Sequence, residues 1–282
     1  MAEAGLLSIC ATPIGNLSDI TLRVLETLKT VDFIAAEDTR HSRKLLNHYG
    51  IKTPLLSYYQ HNERQRTAEI IQRLKKGENG ALISDAGMPG ISDPGQVLIQ
   101  QCLAENIKID VLPGPNAALT ALVLSGMPTE SFLYLGFLPS GKGERRQALA
   151  KVAELPYTLI FYEAPHRLLR TLEDILEILG EREAVVAREL TKLHQTVHRG
   201  LISELLAEFR AVPVKGECCL LLAPYVEPPK ASNPAVWLEE LKKLETAGVD
   251  TKEAMKTVAL EYGIRKRDIY QARLEDERKK GR

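Results

Sequence analysis

The stretch Ser84-Asp85-Ala86-Gly87-Met88-Pro89-Gly90-Ile91-Ser92-Asp93-Pro94-Gly95 follows an apolar, strand-like run over 80–84 and opens a helix-like run over 95–105. In an open α/β sheet a small molecule lies outside the carboxyl ends of the strands, where the chain turns from strand to helix and backbone groups are free to hydrogen-bond. Gly87, Gly90 and Gly95 leave no side chain between such a ligand and the backbone. Pro89 and Pro94 hold the loop to few conformations and so lower the entropy lost on binding. The stretch therefore reads as a rigid, close-fitting ligand loop in an α/β protein.

The pattern recurs on either side. Ala11-Thr12-Pro13-Ile14-Gly15-Asn16-Leu17 ends the run over 6–11, and Leu112-Pro113-Gly114-Pro115-Asn116-Ala117-Ala118 ends the run over 109–112. Three such loops at strand ends predict one shared crevice. Short β-rich runs (6–11, 33–36, 80–84, 109–112) alternate with amphipathic ones (19–29, 42–49, 95–105, 116–124), a βαβα rhythm that predicts a mainly parallel sheet. Gly126 and Pro128 punctuate the chain there, which bounds an N-terminal α/β domain at 1–127. A second α/β domain over 128–226 repeats the theme, with strands at 132–138, 157–162, 184–190 and 218–222 and antiparallel pairing expected in its later half. Val226 to Pro234 holds three prolines in nine residues and reads as a linker. Beyond it, 235–282 reads as a small helical appendage resembling a helix-turn-helix, or equally as a solvated tail packed on the body or on a second copy.

A chain of 282 residues fits two domains or one large one, and 44% hydrophobic residues is ample for real cores. Met1-Ala2-Glu3-Ala4-Gly5 lacks the basic start and apolar stretch of a signal peptide, and no apolar run approaches the roughly 18 residues of a membrane span. A cytoplasmic, membrane-free location is expected. Cys10, Cys102, Cys218 and Cys219 form no CxxC pair and sit in apolar surroundings, so buried free thiols are expected, with no metal site and no disulfide.

The 37 basic residues balance 37 acidic ones, and the total gives no bulk attraction to polyanions. Their distribution is uneven. Between 40 and 76, nine cations (Arg40, Arg43, Lys44, Lys52, Arg64, Arg66, Arg73, Lys75, Lys76) face two acids (Glu63, Glu69), an excess of seven. With Tyr58, Tyr59, His61 and Asn62 interleaved, this suits an RNA strand: cations for phosphates, rings for unpaired bases. Arg43, Lys44, Tyr58, Tyr59, Arg64 and Arg66 are the expected contacts; a solvated helix face accounts for 64–76 but less well for Tyr58-Tyr59. Gly136 to Gly143 fits GxxxxGK, yet Gly143 stands where a P-loop needs Ser or Thr for magnesium. It reads instead as a basic loop offering Lys142, Arg145 and Arg146 to phosphates.

The three loops, together with Ala35-Ala36-Glu37-Asp38-Thr39-Arg40, Phe161-Tyr162-Glu163-Ala164-Pro165-His166-Arg167 and Ala187-Arg188-Glu189-Leu190-Thr191, resemble the tetrapyrrole-methylase superfamily, from about Leu7 to about Ala223. Within it the match is to the ribosomal RNA small-subunit methyltransferase I family. The resemblance implies two α/β domains with S-adenosylmethionine between them, a homodimer, and methylation of a cytidine ribose 2′-hydroxyl in 16S ribosomal RNA, within the assembled 30S subunit. Carried over position by position, it implies cofactor contacts from Pro13, Asp85, Ala86, Gly87, Ile91 and Ala117, with Tyr162 and Ala164 covering the adenine. Two other readings share these motifs: a tetrapyrrole or other small-molecule methylase, and a non-catalytic RNA- or adenosylmethionine-binding assembly factor. The local positive charge favours RNA.

Methyl transfer to a hydroxyl is an in-line displacement that needs an aligned acceptor, a dry site and a base, the last commonly worth ~10²–10⁴ in rate. Glu37, Asp38, His61, Glu63, Glu163, His166 and Lys192 are candidates by type, and Asp38, Arg40, His61 and Glu63 form the expected catalytic set. Asp38 and Arg40 follow a strand and can act together at the crevice mouth; the same pattern also serves as a helix N-cap or an ion pair.

Overall fold

Strands buried on both faces read as continuous apolar runs, and parallel sheets covered by helices are built from them. In the computed structural model, which describes residues 4–227 and 233–280, the N-terminal half is such a sheet. Residues 1–3 of the N-terminal reading, 228–232 of the linker reading and 281–282 of the appendage lie outside the described residues. The chain runs β1 (Leu7–Cys10), α1 (Leu22–Thr30), β2 (Phe33–Ala36), α2 (Thr39–His48), β3 (Leu55–Ser57), α3 (Glu63–Lys75), β4 (Gly80–Ile83), α4 (Gln96–Ala104) and β5 (Ile109–Leu112). The strands are parallel in the order β3-β2-β4-β1-β5. Successive side chains leave a strand on opposite faces. Phe33 and Ala35 therefore pack with Ile70, Leu74, Leu82 and Leu98 on one side, while Ile34 and Ala36 pack with Val24, Leu28 and Ile83 on the other.

β4, β1 and β5 are neighbours in this sheet, and being parallel they end at the same edge. The three glycine- and proline-rich loops leave from those ends and are therefore adjacent, as the sequence predicts. The Thr12 N–H donates to the Gly87 carbonyl (2.9 Å) and the Gly87 N–H to the Thr12 carbonyl (3.0 Å), while the Thr12 hydroxyl donates to the Ser84 carbonyl at 3.0 Å. These bonds lock the first loop to the central one.

The second sheet follows α5 (Ala117–Ser125) and comprises β6 (Phe132–Phe137), α6 (Lys142–Ala150), β7 (Thr158–Glu163), α7 (Leu168–Leu179), β8 (Glu183–Arg188), β9 (Thr196–Leu201), α8 (Ile202–Ala211) and β10 (Cys218–Leu222). Its order is β6-β7-β10-β8-β9, with β6 parallel to β7 and all other pairs antiparallel. Helices α6, α7 and α8 cover one face through Leu149, Leu172, Ile175 and Phe209. The other face is covered by α5, whose Ala118, Ala121 and Leu122 pack against Ile160, Val185 and Leu221. Although α5 precedes the glycine and proline at 126 and 128, its packing partners are in the second sheet. β9 has no counterpart in the sequence reading: it is an edge strand of mostly polar, half-exposed residues, paired with β8 alone among the described residues.

Residues up to Tyr225 form one compact unit and those from Val226 another. The second unit contains α9 (Pro234–Thr246), α10 (Thr251–Glu261) and α11 (Lys266–Lys280). It has its own core of Trp237, Leu241, Ala254, Val258 and Ile269.

Candidate active site

Where the loops of the first sheet meet the second, they enclose a cavity of about 320 Å³, within the roughly 300–1,000 Å³ span of small-molecule and cofactor sites. The first sheet contributes Ile14, Ala86, Gly87, Met88, Ile91, Ser92 and Asp93, and the connection to α5 contributes Asn116 and Ala117. The second sheet closes the space with Phe137, Tyr162, Glu163, Ala164, Pro165, Ala187, Leu190, Cys218 and Cys219. Most of this wall is apolar or backbone. Gly87 adopts φ +81°, which L side chains rarely adopt. At Gly95, φ is +142° and a Cβ would lie 2.9 Å from Leu82 Cδ2, so only glycine allows the loop to turn back against β4 before α4 begins.

The loop is also held from the side. Glu63, first residue of α3, accepts the Gly95 N–H at 3.0 Å and the Tyr58 hydroxyl at 3.1 Å on the same oxygen, Oε1. Tyr58 is only 1% exposed and shares a further hydrogen bond with Thr67 Oγ1 at 3.1 Å. Burial raises its hydroxyl above the ordinary tyrosine range, keeping it neutral. In the second half, the buried Glu163 carboxylate accepts the Ala164 N–H (2.8 Å) and the Thr171 hydroxyl (2.5 Å). Arg167 lies 3.3 Å from it. Glu163 thereby fixes the turn that presents Ala164 and Pro165 to the cavity.

The polar edge of the cavity is acidic. Burial first, then the charges of Glu37 and Asp85, push Asp93 up to about 7. Glu37 is also raised, by burial and then by Asp85 and Asp38. Asp85 accepts the Asp38 N–H at 3.1 Å, joining the end of β2 to the central loop. A cationic ligand group is the natural complement to these carboxylates. Cys218 and Cys219, each pushed up to about 12 chiefly by burial, remain thiols and act as small apolar lining; all four cysteines are buried and free.

Of the expected cofactor contacts, Ala86, Gly87, Ile91, Ala117, Tyr162 and Ala164 line the cavity, whereas Pro13 and Asp85 do not. Asp38 caps α2 by accepting the Arg40 N–H at 2.8 Å and pairs with the Arg40 guanidinium at 3.1 Å. His61 is exposed in the turn before α3, its ring edge-on to Tyr59 at 6.3 Å.

Several expectations need correction. Tyr58 cannot stack on a base, because the hydrophobic core and the Glu63–Thr67 hydrogen bonds take its ring and hydroxyl inward. Glu63 is a positioning residue for the loop, its Oε1 already engaged by two donors, and is no free base. Arg145 is 5% exposed and donates to Asp174 through Nε (2.7 Å) and to the Ser140 carbonyl (3.1 Å), leaving nothing for a phosphate. Arg146 is paired with Glu177 and lies 3.6 Å from Asp174. Arg66 pairs with Glu69 on its own helix. Carboxylates from outside the basic window, Glu78 and Glu105, neutralise Arg73 and Lys75. Arg43, Lys44, Tyr59, Arg64 and Lys142 stay exposed. Asp93, Ser92, Ile14 and Asn116 escaped the sequence choice although they belong to the quoted loops. Cys219 comes from the distant strand β10 and carries no local signal of a site, whereas Leu190, just after β8, and Phe137, at the end of β6, fall within quoted motifs without having been singled out.

Ribosomal RNA small subunit methyltransferase I of Halalkalibacterium halodurans is 47% identical over 274 residues, covering 95% of this chain and 94% of that protein. The protein of that name from Thermotoga maritima is 49% identical over 219 residues, covering 78% of this chain and 98% of its own length. The structure of uroporphyrin-III C-methyl transferase from Thermus thermophilus, complexed with S-adenyl homocysteine, superposes with a TM-score of 0.56 at 18% identity over 78% of this chain and 97% of that one, a likeness of fold. Residues 7–206 match the Tetrapyrrole (Corrin/Porphyrin) Methylases family, and with these relatives the chain belongs to that family, among its ribosomal RNA small subunit methyltransferase I members.

Proposed function

We infer that this protein transfers a methyl group from S-adenosylmethionine to small-subunit ribosomal RNA, at the 2′-hydroxyl of a cytidine ribose. The observation that carries the reading is the near-full-length likeness to ribosomal RNA small subunit methyltransferase I proteins in a chain whose strand-end loops enclose a cofactor-sized cavity. The fit to the donor is chemical: apolar walls from Ile14, Met88, Tyr162 and Leu190 suit a purine, and Asp93 in the wall, with the charges of Glu37 and Asp85 acting on it, suits a sulfonium and an ammonium. When bound, S-adenosylmethionine supplies an electrophilic methyl carbon, so the protein's tasks are alignment, dryness and proton removal.

The chain's own residues divide those tasks. Gly87 and Ala86 let the backbone come against the ligand, and the Thr12–Gly87 bonds hold that approach. Asp38 donates its N–H to Asp85 and pairs through its carboxylate with Arg40, and in this reading the two orient the acceptor ribose at the mouth. Arg43, Lys44, Tyr59, His61, Arg64 and Lys142 are the exposed groups left for phosphates and bases. The substrate is read as the assembled 30S subunit and the location as cytoplasmic; no described helix is long and apolar enough to cross a membrane. A homodimer is supported by exposed apolar side chains on α5, Leu119 at 49% and Val123 at 77%, and sedimentation checks it.

Incubating purified protein and S-adenosylmethionine with unmodified small subunits is expected to yield 2′-O-methylcytidine on nucleoside mass spectrometry. Methylation of a tetrapyrrole instead, with none on the subunits, overturns the reading. Naked ribosomal RNA in a parallel reaction distinguishes the free from the assembled substrate.

A further inference from the structure

Phe137 is the one aromatic ring in the cavity wall that is also largely open to solvent among the described residues, at 55% exposure. Its position results from a break in strand alternation. Leu133 and Leu135 of β6 pack into the core beneath α6 and α7, and strict period two would send residue 137 after them. Between Tyr134 and Phe137 the pairing with β7 slips: Tyr134 opposes Ile160 but Phe137 opposes Tyr162, three residues against two. Gly136 takes up the extra residue at φ +63°, and a Cβ there would lie 3.1 Å from Ser92 Oγ. Bulges of this kind re-aim side chains and recur beside active sites. Here the bulge removes a phenylalanine from the core face and sets it at the cavity mouth, with Leu138 taking the core position.

The ring is held rather than loose. Its edge meets Tyr162, centroids 5.6 Å apart at 65°, and Tyr162 in turn meets Tyr134 at 5.1 Å and 70°. The following carbonyls are pinned: Arg167 Nη2 donates to Leu138 O (2.7 Å) and Pro139 O (3.1 Å), and the buried Arg145 donates to Ser140 O. Lys142, exposed on the same segment, is available to a phosphate. A preorganised, solvent-facing ring beside a methyl-donor cavity matches what an unpaired nucleobase requires: a flat apolar face at little entropic cost, with a cation nearby.

Resting on the RNA-methylation reading above, we propose that Phe137 is the stacking platform for the nucleobase attached to the acceptor ribose. An unpaired pyrimidine lies on its open face while the ribose hydroxyl enters the cavity. The buried Tyr58 does not fill this role.

The test is Phe137→Ala beside Phe137→Trp, with three readouts: kcat/KM on unmodified small subunits, RNA affinity by fluorescence anisotropy without cofactor, and S-adenosylmethionine affinity by calorimetry. Phe137→Ala is expected to lower kcat/KM and RNA affinity by about 10- to 100-fold, with cofactor affinity unchanged within about twofold. Phe137→Trp, which keeps a π face, should restore most of the loss. Cofactor affinity falling in step with activity would assign the ring to the donor's own site and overturn the proposal. An active wild type with both variants indifferent overturns it alone; a wild type inert on subunits overturns the RNA-methylation reading, and this proposal with it.

Discussion

Asp93 is a carboxylic acid held up to about 7, first by burial and then by the charges of Glu37 and Asp85. An unfolded aspartate titrates near ~4, so between those values the free folded protein keeps a proton that the unfolded chain has lost. Stability from this group is fully present below the unfolded value and is lost as pH rises through about 7. A cationic ligand reverses the preference, because it favours the ionised carboxylate. S-adenosylmethionine affinity is therefore expected to rise with pH up to about 7 and level off above it. Calorimetry in buffers of different ionisation enthalpy should detect a released proton that vanishes in Asp93→Asn; a flat pH profile for the wild type would disprove the linkage. Arg145 presents the opposite case, a charge consumed inside the fold. Its side chain and that of Asp174 are 6% and 4% exposed, so removing either partner alone strands a buried charge. Arg145→Ala or Asp174→Ala should cost about 3–5 kcal/mol in denaturant unfolding. Arg145→Met with Asp174→Leu should recover most of it, and equal losses in single and double variants would contradict the account. Arg145 was misjudged from the sequence because GxxxxGK resembles a phosphate loop, while its partner lies 29 residues away on α7.

Among elements, the contact of α3 with the central loop carries the most consequence. Glu63 Oε1 receives both the Gly95 N–H and the Tyr58 hydroxyl, tying the start of α3 to the turn before α4. Glu63→Ala leaves both donors without that partner and is expected to cost about 1–3 kcal/mol. S-adenosylmethionine binding should weaken as the loop loosens, although Glu63 does not line the cavity. Unfolding and calorimetry together check this, and unchanged affinity alongside lowered stability would confine Glu63 to the fold. The first sheet was legible because β1, β2 and β4 are buried throughout and flanked by turn residues. β9 was not, since Thr196, His198 and Arg199 give an edge strand no apolar alternation. α5 belongs in sequence order with the first sheet and by packing with the second, a difference that only tertiary contacts reveal. The basic window was counted correctly, yet Glu78 and Glu105 return to it in space and neutralise Arg73 and Lys75.

At the scale of the whole molecule, the division at Tyr225 and Val226 gives the chain two separately cored units. The Thermotoga maritima relative aligns over 219 residues that span 98% of its length but 78% of this chain, so a protein of the same name is shorter by about the extent of the second unit. That unit is small, and small units bury proportionally less surface and are correspondingly marginal. The chain's single tryptophan, Trp237, lies in its core at 7% exposure. Tryptophan emission therefore follows the second unit alone, while far-ultraviolet circular dichroism is dominated by the first. In a urea titration the emission change is expected at lower denaturant than the main dichroism transition. A chain ending at Tyr225, which lacks Trp237, should keep the main dichroism transition at the same denaturant concentration and bind S-adenosylmethionine with unchanged affinity. Coincident transitions by both probes, together with loss of cofactor binding in the shortened chain, would show instead that the two units unfold as one and that the helices support the site.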